Sequence, residues 1–324
     1  MLLPRPVCAF EKRGATQLRK EHEPMLAAVI VTYNRKELLG NNIRMLLKQT
    51  LAFDRIFMVD NCSTDGTYDY LVQQGWMNEG PFVYVKTASN IGGAGGFYTG
   101  TKAAFEAGAD WIVLMDDDGA AADEHTFEIL FHAAQKLYEK NKKLFVNALV
   151  QQGELLSFKI DQMYSVEDAL EAAEGGLLEG AANPFNGTLV SRELVDAIGY
   201  PNPDFFIKGD EVNYKQRAFD AGAYMATVVD ARYIHPRPDT HERTVLGKKV
   251  PFFVEAPWKE YYAARNFTYM YKQKGQYKAI AFELVFVKLL AILRMKCKKW
   301  ATVKMLFNGV YDGWKGKLGA TVKP

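Results

Sequence analysis

WIVLMDDDG, Trp111 to Gly119, is the stretch whose reading decides the fold. Ile112 to Met115 form an unbroken apolar run, the pattern of a strand covered on both faces. Asp116, Asp117 and Asp118 follow at once, so the strand ends in carboxylates at the carboxyl edge of a sheet. Open α/β sheets hold their ligands at that edge. Adjacent carboxylates repel one another, and a packed core has nothing to offset the repulsion. A divalent cation offsets it, and Mg²⁺ or Mn²⁺ takes hard oxygen ligands that are commonly shared with substrate phosphates. The plainer alternative is a solvated acidic turn.

Working upstream, LAAVIVTYN (26–34), RIFMVDN (55–61) and FVYVK (82–86) read as further strands. Arg35 to Gln49 carries an apolar stripe at helical spacing. Ser63 or Thr64 in STDGT (63–67) is placed to cap a helix running through Leu71. SNIGGAGGFYTG (89–100) is a glycine-rich turn entering a helix that ends near Gly108. Strand and helix alternate at about 25-residue spacing, which predicts right-handed βαβ units and a parallel sheet. Asn34, Asp60, Asn90 and Asp116 then fall at strand ends or just beyond, on one edge. One nucleotide-like ligand lying across that edge explains four polar strand ends at once.

Downstream, Asp123 to Lys140 reads as a helix and KLFVNALV (143–150) as a strand. A helix over Val166 to Ala173 follows. Then come a strand and a Ser191-capped helix within NPFNGTLVSRELVDAIG (183–199). GDEVNYKQRAFDAG (209–222) sets a second acidic cluster at a helix start, and YMATVVDARYIHPRP (224–238) is a strand that runs into His235. From Pro257 the chain reads as helical, aromatic and basic. This divides the chain into a loose extension (1–24), an α/β body (25–250) and a helical basic region (251–324). The boundary lies in the charged, aperiodic loop between His241 and Pro257.

The 324 residues suffice for a full core, and 48% hydrophobic with 24% charged content is ordinary for a globular protein. Cys8, Cys62 and Cys297 are unpaired by spacing, which points to a reducing compartment. Met1 to Lys20 has no continuous apolar core, which argues against a secretory signal. The net charge of +2 hides an asymmetry: Lys259 to Pro324 carries 14 Lys/Arg against Glu260, Glu283 and Asp312, a local net of +11. A basic end on an acidic body suits an anionic partner. Ala279 to Leu293 is a 15-residue apolar stretch interrupted by Glu283 and Lys288, too short to span a bilayer, which takes about 20 apolar residues. With Arg294, Lys296, Lys298, Lys299 and Trp300 behind it, it suits a helix lying on anionic lipid. Packing on the body or an oligomer contact is the alternative. No nucleic-acid recognition motif accompanies the charge, so nucleic acid is not expected as a partner.

VTYNR (31–35), VDNCSTDGT (59–67), NIGGAGG (90–96), DDD (116–118), GDEVNYKQRAFDAG (209–222) and His235 together resemble, in order, family 2 glycosyltransferases with a GT-A fold. The NIGGAGGF loop, the DDD form and YYAARN (261–266) are most similar to bacterial galactofuranosyltransferases and related rhamnosyltransferases. The resemblance implies a mostly parallel α/β sheet flanked by helices, with a helical carboxy-terminal extension. It implies an inverting, metal-dependent transfer of a sugar from a nucleotide-diphosphate donor to a glycan or lipid-linked acceptor. Galactofuranose from UDP-galactofuranose is favoured, with rhamnose from dTDP-rhamnose next. The enzyme would work in the cytoplasm, peripheral on the inner face of a bacterial plasma membrane.

A departing diphosphate develops negative charge that a bound Mn²⁺ or Mg²⁺ stabilises. Asp116 and Asp118 are the expected metal ligands, with His235 an additional one by resemblance. Asp117 points the other way along an extended strand and is placed to reach the donor sugar. By similarity Thr32, Asn34, Arg35 and Asp60 contact the nucleotide, beside Asn61. Asn90, Gly92 and Gly93 belong to a turn whose free N–H groups suit a phosphate, though close helix packing also explains its glycines. Displacement at the anomeric carbon needs a base for the acceptor hydroxyl. The family pattern has two acids, a further acid two positions on, and an arginine. Here Asn213 replaces the further acid, leaving Asp210 and Glu211, and alignment on Arg217 puts Glu211 in the base position. Two other classes compete: a nucleotidyltransferase making sugar nucleotides, and a non-catalytic glycan- or lipid-binding module. The first usually carries a glycine-rich loop with lysine where this chain has VTYNR. The second leaves Asp116, Asp118, Glu211 and His235 unexplained.

Overall fold

A computed structural model describes residues 24–78, 80–237, 240–245, 248–253, 256–295 and 298–323, with the backbone alone described for 240–245 and 248–253. The amino-terminal extension before Pro24, Cys8 and Cys297 lie outside the described residues. The body opens with β1 (Leu26–Thr32), α1 (Lys36–Leu47), β2 (Arg55–Asp60), α2 (Thr67–Gln73), β3 (Phe82–Lys86), α3 (Gly92–Glu106) and β4 (Trp111–Asp116). It continues through β5 (Ala120–Ala121), α4 (Thr126–Tyr138), β6 (Leu144–Gln152), β7 (Leu155–Ile160), β8 (Met163–Ser165) and α5 (Val166–Ala172). Then come β9 (Leu177–Glu179), β10 (Asn186–Ser191), α6 (Arg192–Ile198), a 3-10 turn (Pro203–Phe205), α7 (Asp210–Asp220) and β11 (Tyr224–Ile234).

The sheet order is β3-β2-β1-β4-β10-β6-β11-β5. Its first four strands are parallel, in register from Ala27–Arg55 to Thr32–Asp60 across β1 and β2. β10 then runs antiparallel to both β4 and β6. The expected parallel direction is therefore interrupted at β10, and β6 and β11 pair parallel again beyond it. A βαβ crossover would return the chain in the same direction. Between β6 and β10 the chain instead passes through the β7–β8 hairpin, α5 and β9, and enters beside β4 running the other way.

β1 is buried along its whole length, and its alternate side chains enter opposite layers. Leu26, Ala28 and Ile30 pack with Leu39 and Ile43 of α1 and Leu130 of α4. Ala27, Val29 and Val31 pack with Phe97 of α3 and Tyr214 and Ala218 of α7. Each fully buried Val, Leu or Ile contributes about 1.5–3 kcal/mol, so this central strand fixes the position of every loop at its carboxyl end. Two local expectations change. Gly66, in the left-handed region, opens α2, while Ser63 Oγ instead accepts the Asn34 N–H at 2.9 Å. The segment after His241, read as an aperiodic loop, forms a hairpin of β12 (Thr240–Val245) and β13 (Lys248–Phe253). Its strands carry too many charges for an apolar alternation to reveal them.

The carboxy-terminal region is α8 (Pro257–Gln273), then α9 (Tyr277–Ala279), which passes through π-helical Ile280–Val287 into α10 (Lys288–Leu293), and finally α11 (Lys299–Lys315). No helix among the described residues is long and apolar enough to cross a membrane.

The glycines of α3 divide by role. A Cβ on Gly96 would lie 2.4 Å from Val31 Cγ1, and one on Gly100 would lie 2.3 Å from Val29 Cγ1. These residues let α3 lie directly on β1, whereas a Cβ on Gly93 would meet nothing within 4 Å. Gly100→Val should therefore destabilise the chain by about 1–3 kcal/mol through overpacking. Gly93→Ala should leave urea unfolding unchanged or slightly stabilised. Equal midpoints for Gly100→Val and the parent would show that α3 does not sit on β1 as described.

Candidate active site

The carboxyl ends of β1, β2 and β4 meet around the acidic triplet. Asp117 is buried, with Oδ2 accepting from Thr32 Oγ1 at 2.7 Å and Oδ1 accepting from Arg35 Nη1 at 3.1 Å. The same Arg35 nitrogen donates to Asp118 Oδ2 at 2.9 Å. Asn42 of α1 donates to the Asp116 carbonyl at 3.0 Å. Below the triplet lies the buried Tyr233 ring, and a Cβ on Gly119 would come within 2.4 Å of it. The glycine that follows the carboxylates is thus a packing requirement.

His235, just past β11, reaches Asp118 with Nε2 3.2 Å from Oδ1. Its Nδ1 lies 2.7 Å from the Pro236 carbonyl. A carbonyl only accepts, so Nδ1 carries the proton and Nε2 faces the carboxylates. Asp116, Asp118 and His235 each offer one ligand atom, all within 4.8 Å of one another, the one such group of three among the described residues. Burial, then the charges of Asp118 and Asp117, push the Asp116 carboxyl up to about 8. Burial also raises Asp117 against the pull of Arg35. Asp118 is held below the usual carboxylate range by His235 and Arg35, although burial opposes it. Burial would lower His235, but its hydrogen bond to Asp118 and the carboxylate charges raise it on balance. Arg35 is half exposed, and exposed pairs are worth about 0–1 kcal/mol, too little to neutralise the triplet. A two-carboxylate, one-imidazole set with this residual charge fits a hard divalent cation.

Two adjoining cavities open here. The smaller, about 270 Å³, is lined by Thr32, Asn61, Asn90, Gly92 and Asp117, among others. The larger, about 490 Å³, brings Asp118 and His235 together with Asp210 and Glu211. They share Arg35, Gly93, Asp116, Ile207 and Lys259. Gly92 has φ 74°, and a Cβ there would strike the Phe206 carbonyl at 2.0 Å. Its N–H is held by Asn90 Oδ1 at 2.8 Å and its carbonyl by Asn61 Nδ2 at 2.7 Å.

Asp210, 6% exposed, opens α7 behind Gly209. Burial first, then the Glu211 charge and hydrogen bond, raise its carboxyl well above the usual range. Glu211 Oε2 accepts the Gly209 N–H at 3.0 Å. Asn213 accepts from Arg217 Nε at 3.1 Å, and Arg217 also donates to the Ile198 and Tyr200 carbonyls. The amide at 213 therefore anchors α7 and stands apart from the acidic pair.

Asp60 and Asn34, expected at the nucleotide, hold partners within the fold. Asp60 is fully buried, its carboxylate taken by the Ser63 N–H at 2.7 Å and the Tyr84 hydroxyl. Asn34, at φ 53°, uses Oδ1 to accept the Thr64 N–H at 2.7 Å. Neither lines the cavities; both shape the loops beside them, because a strand-end Asp or Asn finds a neighbouring backbone N–H before it finds a ligand. Conversely, Phe206, Ile207, Trp258 and Lys259 line the smaller cavity, and the sequence reading passed over them. The signal available was their position, two beside the GDE turn and two at a Pro-initiated helix start.

A mixed sheet, parallel but for β10 and its edge strands, with an acidic triplet at its edge, a glycine turn on one side and a carboxylate pair on the other, has the GT-A fold of glycosyltransferases. The family model of glycosyl transferase family 2 matches residues 27–140. Galactofuranosyltransferase GlfT1 of Mycobacterium tuberculosis (strain ATCC 25618 / H37Rv) is 33% identical over 264 residues, covering 79% of this chain and 85% of that protein. dTDP-rhamnosyl transferase RfbF of Shigella flexneri is 21% identical over 308 residues, covering 90% and 96%. Among solved structures, mannosyltransferase PcManGT from Pyrobaculum calidifontis, in complex with GDP-Man and Mn²⁺, superposes with a TM-score of 0.54 at 14% identity, covering 91% of this chain and 88% of that one. The chain belongs to glycosyl transferase family 2 and is a glycosyltransferase, which sets aside the nucleotidyltransferase and binding-module readings.

The raised Asp116 carboxyl has a stability consequence. A folded pKa of about 8 against an ordinary 3.8 means the contribution is complete below about 3.8 and lost as pH rises toward 8. In chelator, stability should fall between pH 5 and 8, and fall less in Asp116→Asn. Mn²⁺ should raise the Tm of the parent more at pH 8 than at pH 5. A Tm increment independent of pH and of Asp116 would remove this carboxylate from the cation site.

Proposed function

We propose that the chain is an inverting glycosyltransferase that moves a sugar from a nucleotide diphosphate to a hydroxyl of a lipid-linked cell-envelope glycan. UDP-galactofuranose is the first choice of donor, on the likeness to galactofuranosyltransferases, and dTDP-rhamnose the second. The observation that carries the reading is the larger cavity, where Asp116, Asp118 and His235 face Asp210 and Glu211 across one space.

In this reading Thr32, Arg35, Asn61, Asn90, Gly92, Gly93 and Asp117 form the donor side, with Asp60 and Asn34 holding its loops. Asp116, Asp118 and His235 hold Mn²⁺ or Mg²⁺, which when bound stabilises charge on the departing diphosphate. Glu211 takes the proton as the acceptor oxygen bonds to the anomeric carbon from the face opposite the leaving group. The carbon–oxygen bond to phosphate breaks with its electron pair. Burial and the adjacent Glu211 favour the protonated form of Asp210.

A screen of sugar nucleotides for metal-dependent release of free nucleotide tests the reaction and finds the donor. Glu211→Gln should lower kcat by about 10²–10⁴, the usual contribution of a positioned base, with nucleotide affinity retained. Asp210→Asn should be milder. A reversed ranking moves the base to Asp210, and parent-like rates in both remove this turn from the chemistry.

The acceptor side extends to the carboxy-terminal helices. Trp300, Phe307, Tyr311 and Trp314 lie along one face of α11, Trp300 being 69% and Tyr311 63% exposed. Lys299, Lys304 and Lys315 flank them. Amphipathic rings among lysines suit the headgroup level of an anionic bilayer, which supports the reading of a peripheral enzyme on the inner face of a bacterial plasma membrane. A contact between copies of the chain is the competing use of this face. Vesicles with anionic lipid should bind the protein and release it in salt, and Trp300→Ala with Tyr311→Ala should weaken binding. Salt-insensitive binding to neutral vesicles, or a concentration-dependent dimer lost in the same variants, would overturn the lipid assignment.

A further inference from the structure

The turn that delivers Asp210 and Glu211 is held in an unusual shape. Phe206 has φ 64° and ψ −64°, and the Ile207 N–H reaches the Phe205 carbonyl at 2.8 Å. That is a γ-turn of the rare, strained hand, with a bulky residue at its centre. Lys208 at φ 67° and Gly209 at φ 87° follow directly. Strain of this kind persists only where the surroundings over-determine it.

The surroundings are two fully buried side chains of α8. Asn266 Nδ2 lies 2.9, 3.0 and 2.7 Å from the carbonyls of Phe205, Ile207 and Lys208. Arg265 Nη2 donates to Asp204 and Phe205 carbonyls at 3.1 and 2.9 Å. Arg265 Nε donates to Asn266 Oδ1 at 2.8 Å, which fixes the amide with its nitrogen toward the turn. Arg265 Nη1 reaches on to the Gly319 carbonyl and to Thr321 Oγ1. The segment 319–322 closes the circuit. Gly319 N–H donates to the Asp204 carbonyl at 2.7 Å, and the Tyr262 hydroxyl donates to the Val322 carbonyl at 2.7 Å and accepts its N–H at 3.0 Å. The Phe206 carbonyl accepts the Ala94 N–H at 3.1 Å, tying the same turn to the glycine-rich start of α3.

We propose that Arg265 and Asn266 are positioning residues for the acidic pair, and that segment 319–322 latches them through Tyr262. Through this turn the buried middle of α8 sets the rate of transfer, while Trp258 and Lys259 at the start of the same helix line the smaller cavity. The proposal rests on the assignment of proton transfer to the Asp210–Glu211 turn. None of the three residues lines either cavity, so their effect passes through the backbone they hold.

The test compares Asn266→Ala, Tyr262→Phe and Glu211→Gln in the full chain. The rate is metal-dependent UDP release from UDP-galactofuranose, or the donor the parent turns over in the screen, with water as acceptor. Affinity is UDP with Mn²⁺ by calorimetry. A displacement of about 1 Å can cost about 10²-fold in rate, so Asn266→Ala should lose about that much kcat. Tyr262→Phe, which removes one hydroxyl and keeps the ring, should lose several-fold. In both, donor KM and UDP–Mn²⁺ affinity should stay within twofold of the parent. If Asn266→Ala does not fold, Tyr262→Phe alone decides. Unchanged kcat in the folded variants, or affinity falling in step with rate, overturns the latch. A parent-like Glu211→Gln alongside slow Asn266→Ala overturns instead the base assignment.

Discussion

Like charges at the end of one buried strand are the constraint on which the rest of the structure depends. β4 ends at Asp116, and Asp117 and Asp118 follow at the edge of a largely apolar core, so their charges must be balanced close at hand. The balance comes from three directions: Arg35 from the β1–α1 loop, His235 from the end of β11, and Thr32 from the tip of β1. Because those partners belong to segments far apart in the chain, balancing the triplet also gathers the ends of the sheet. The pocket is the same set of groups seen from the ligand's side.

A second constraint joins the two halves of the site. The donor side is built on β1, β2 and β4, while the acidic pair arrives on α7, between β10 and β11. The Phe206 carbonyl bridges them by accepting from Ala94, and Gly92 is required because its Cβ would occupy that carbonyl. The strained turn around Phe206 thus links nucleotide loop and acidic pair, at a cost of about 1–3 kcal/mol for each unfavourable backbone conformation. Buried Arg265 and Asn266 offset that cost by satisfying carbonyls that would otherwise be unpaired. The basic helical region is therefore part of the site's architecture, in addition to presenting an aromatic face to its surroundings.

Much of this was legible in the chain. The apolar runs of β1, β2 and β4 reveal themselves because a strand covered on both faces admits no polar residue. The acids and amides just after them mark the sheet edge. Asp116, Asp118 and His235 came together as expected because each follows directly from a strand whose register is set by core packing. The hydrogen-bond partners of Asp60 and Asn34 were not legible. An acid at a strand end looks the same whether it meets a ligand or a neighbouring N–H, and only the positions of Ser63, Tyr84 and Thr64 distinguish the two.

The glycines show the same division. Their presence in NIGGAGG was plain, but which of them serve a ligand depends on the distance from α3 to β1, a quantity no local pattern carries. The sequence by itself determined the periodicity, the parallel first half of the sheet and the acids at its edge, since these follow from local burial and from charge that must lie at a surface. Only the tertiary structure decided the antiparallel entry of β10, the hairpin after His241 and the hold of Arg265 and Asn266 on the turn before Asp210. Those depend on contacts between residues as far apart in the chain as Trp111 and Ser191 or Phe205 and Asn266, where backbone groups, identical in every residue type, are the partners and leave no mark in the sequence.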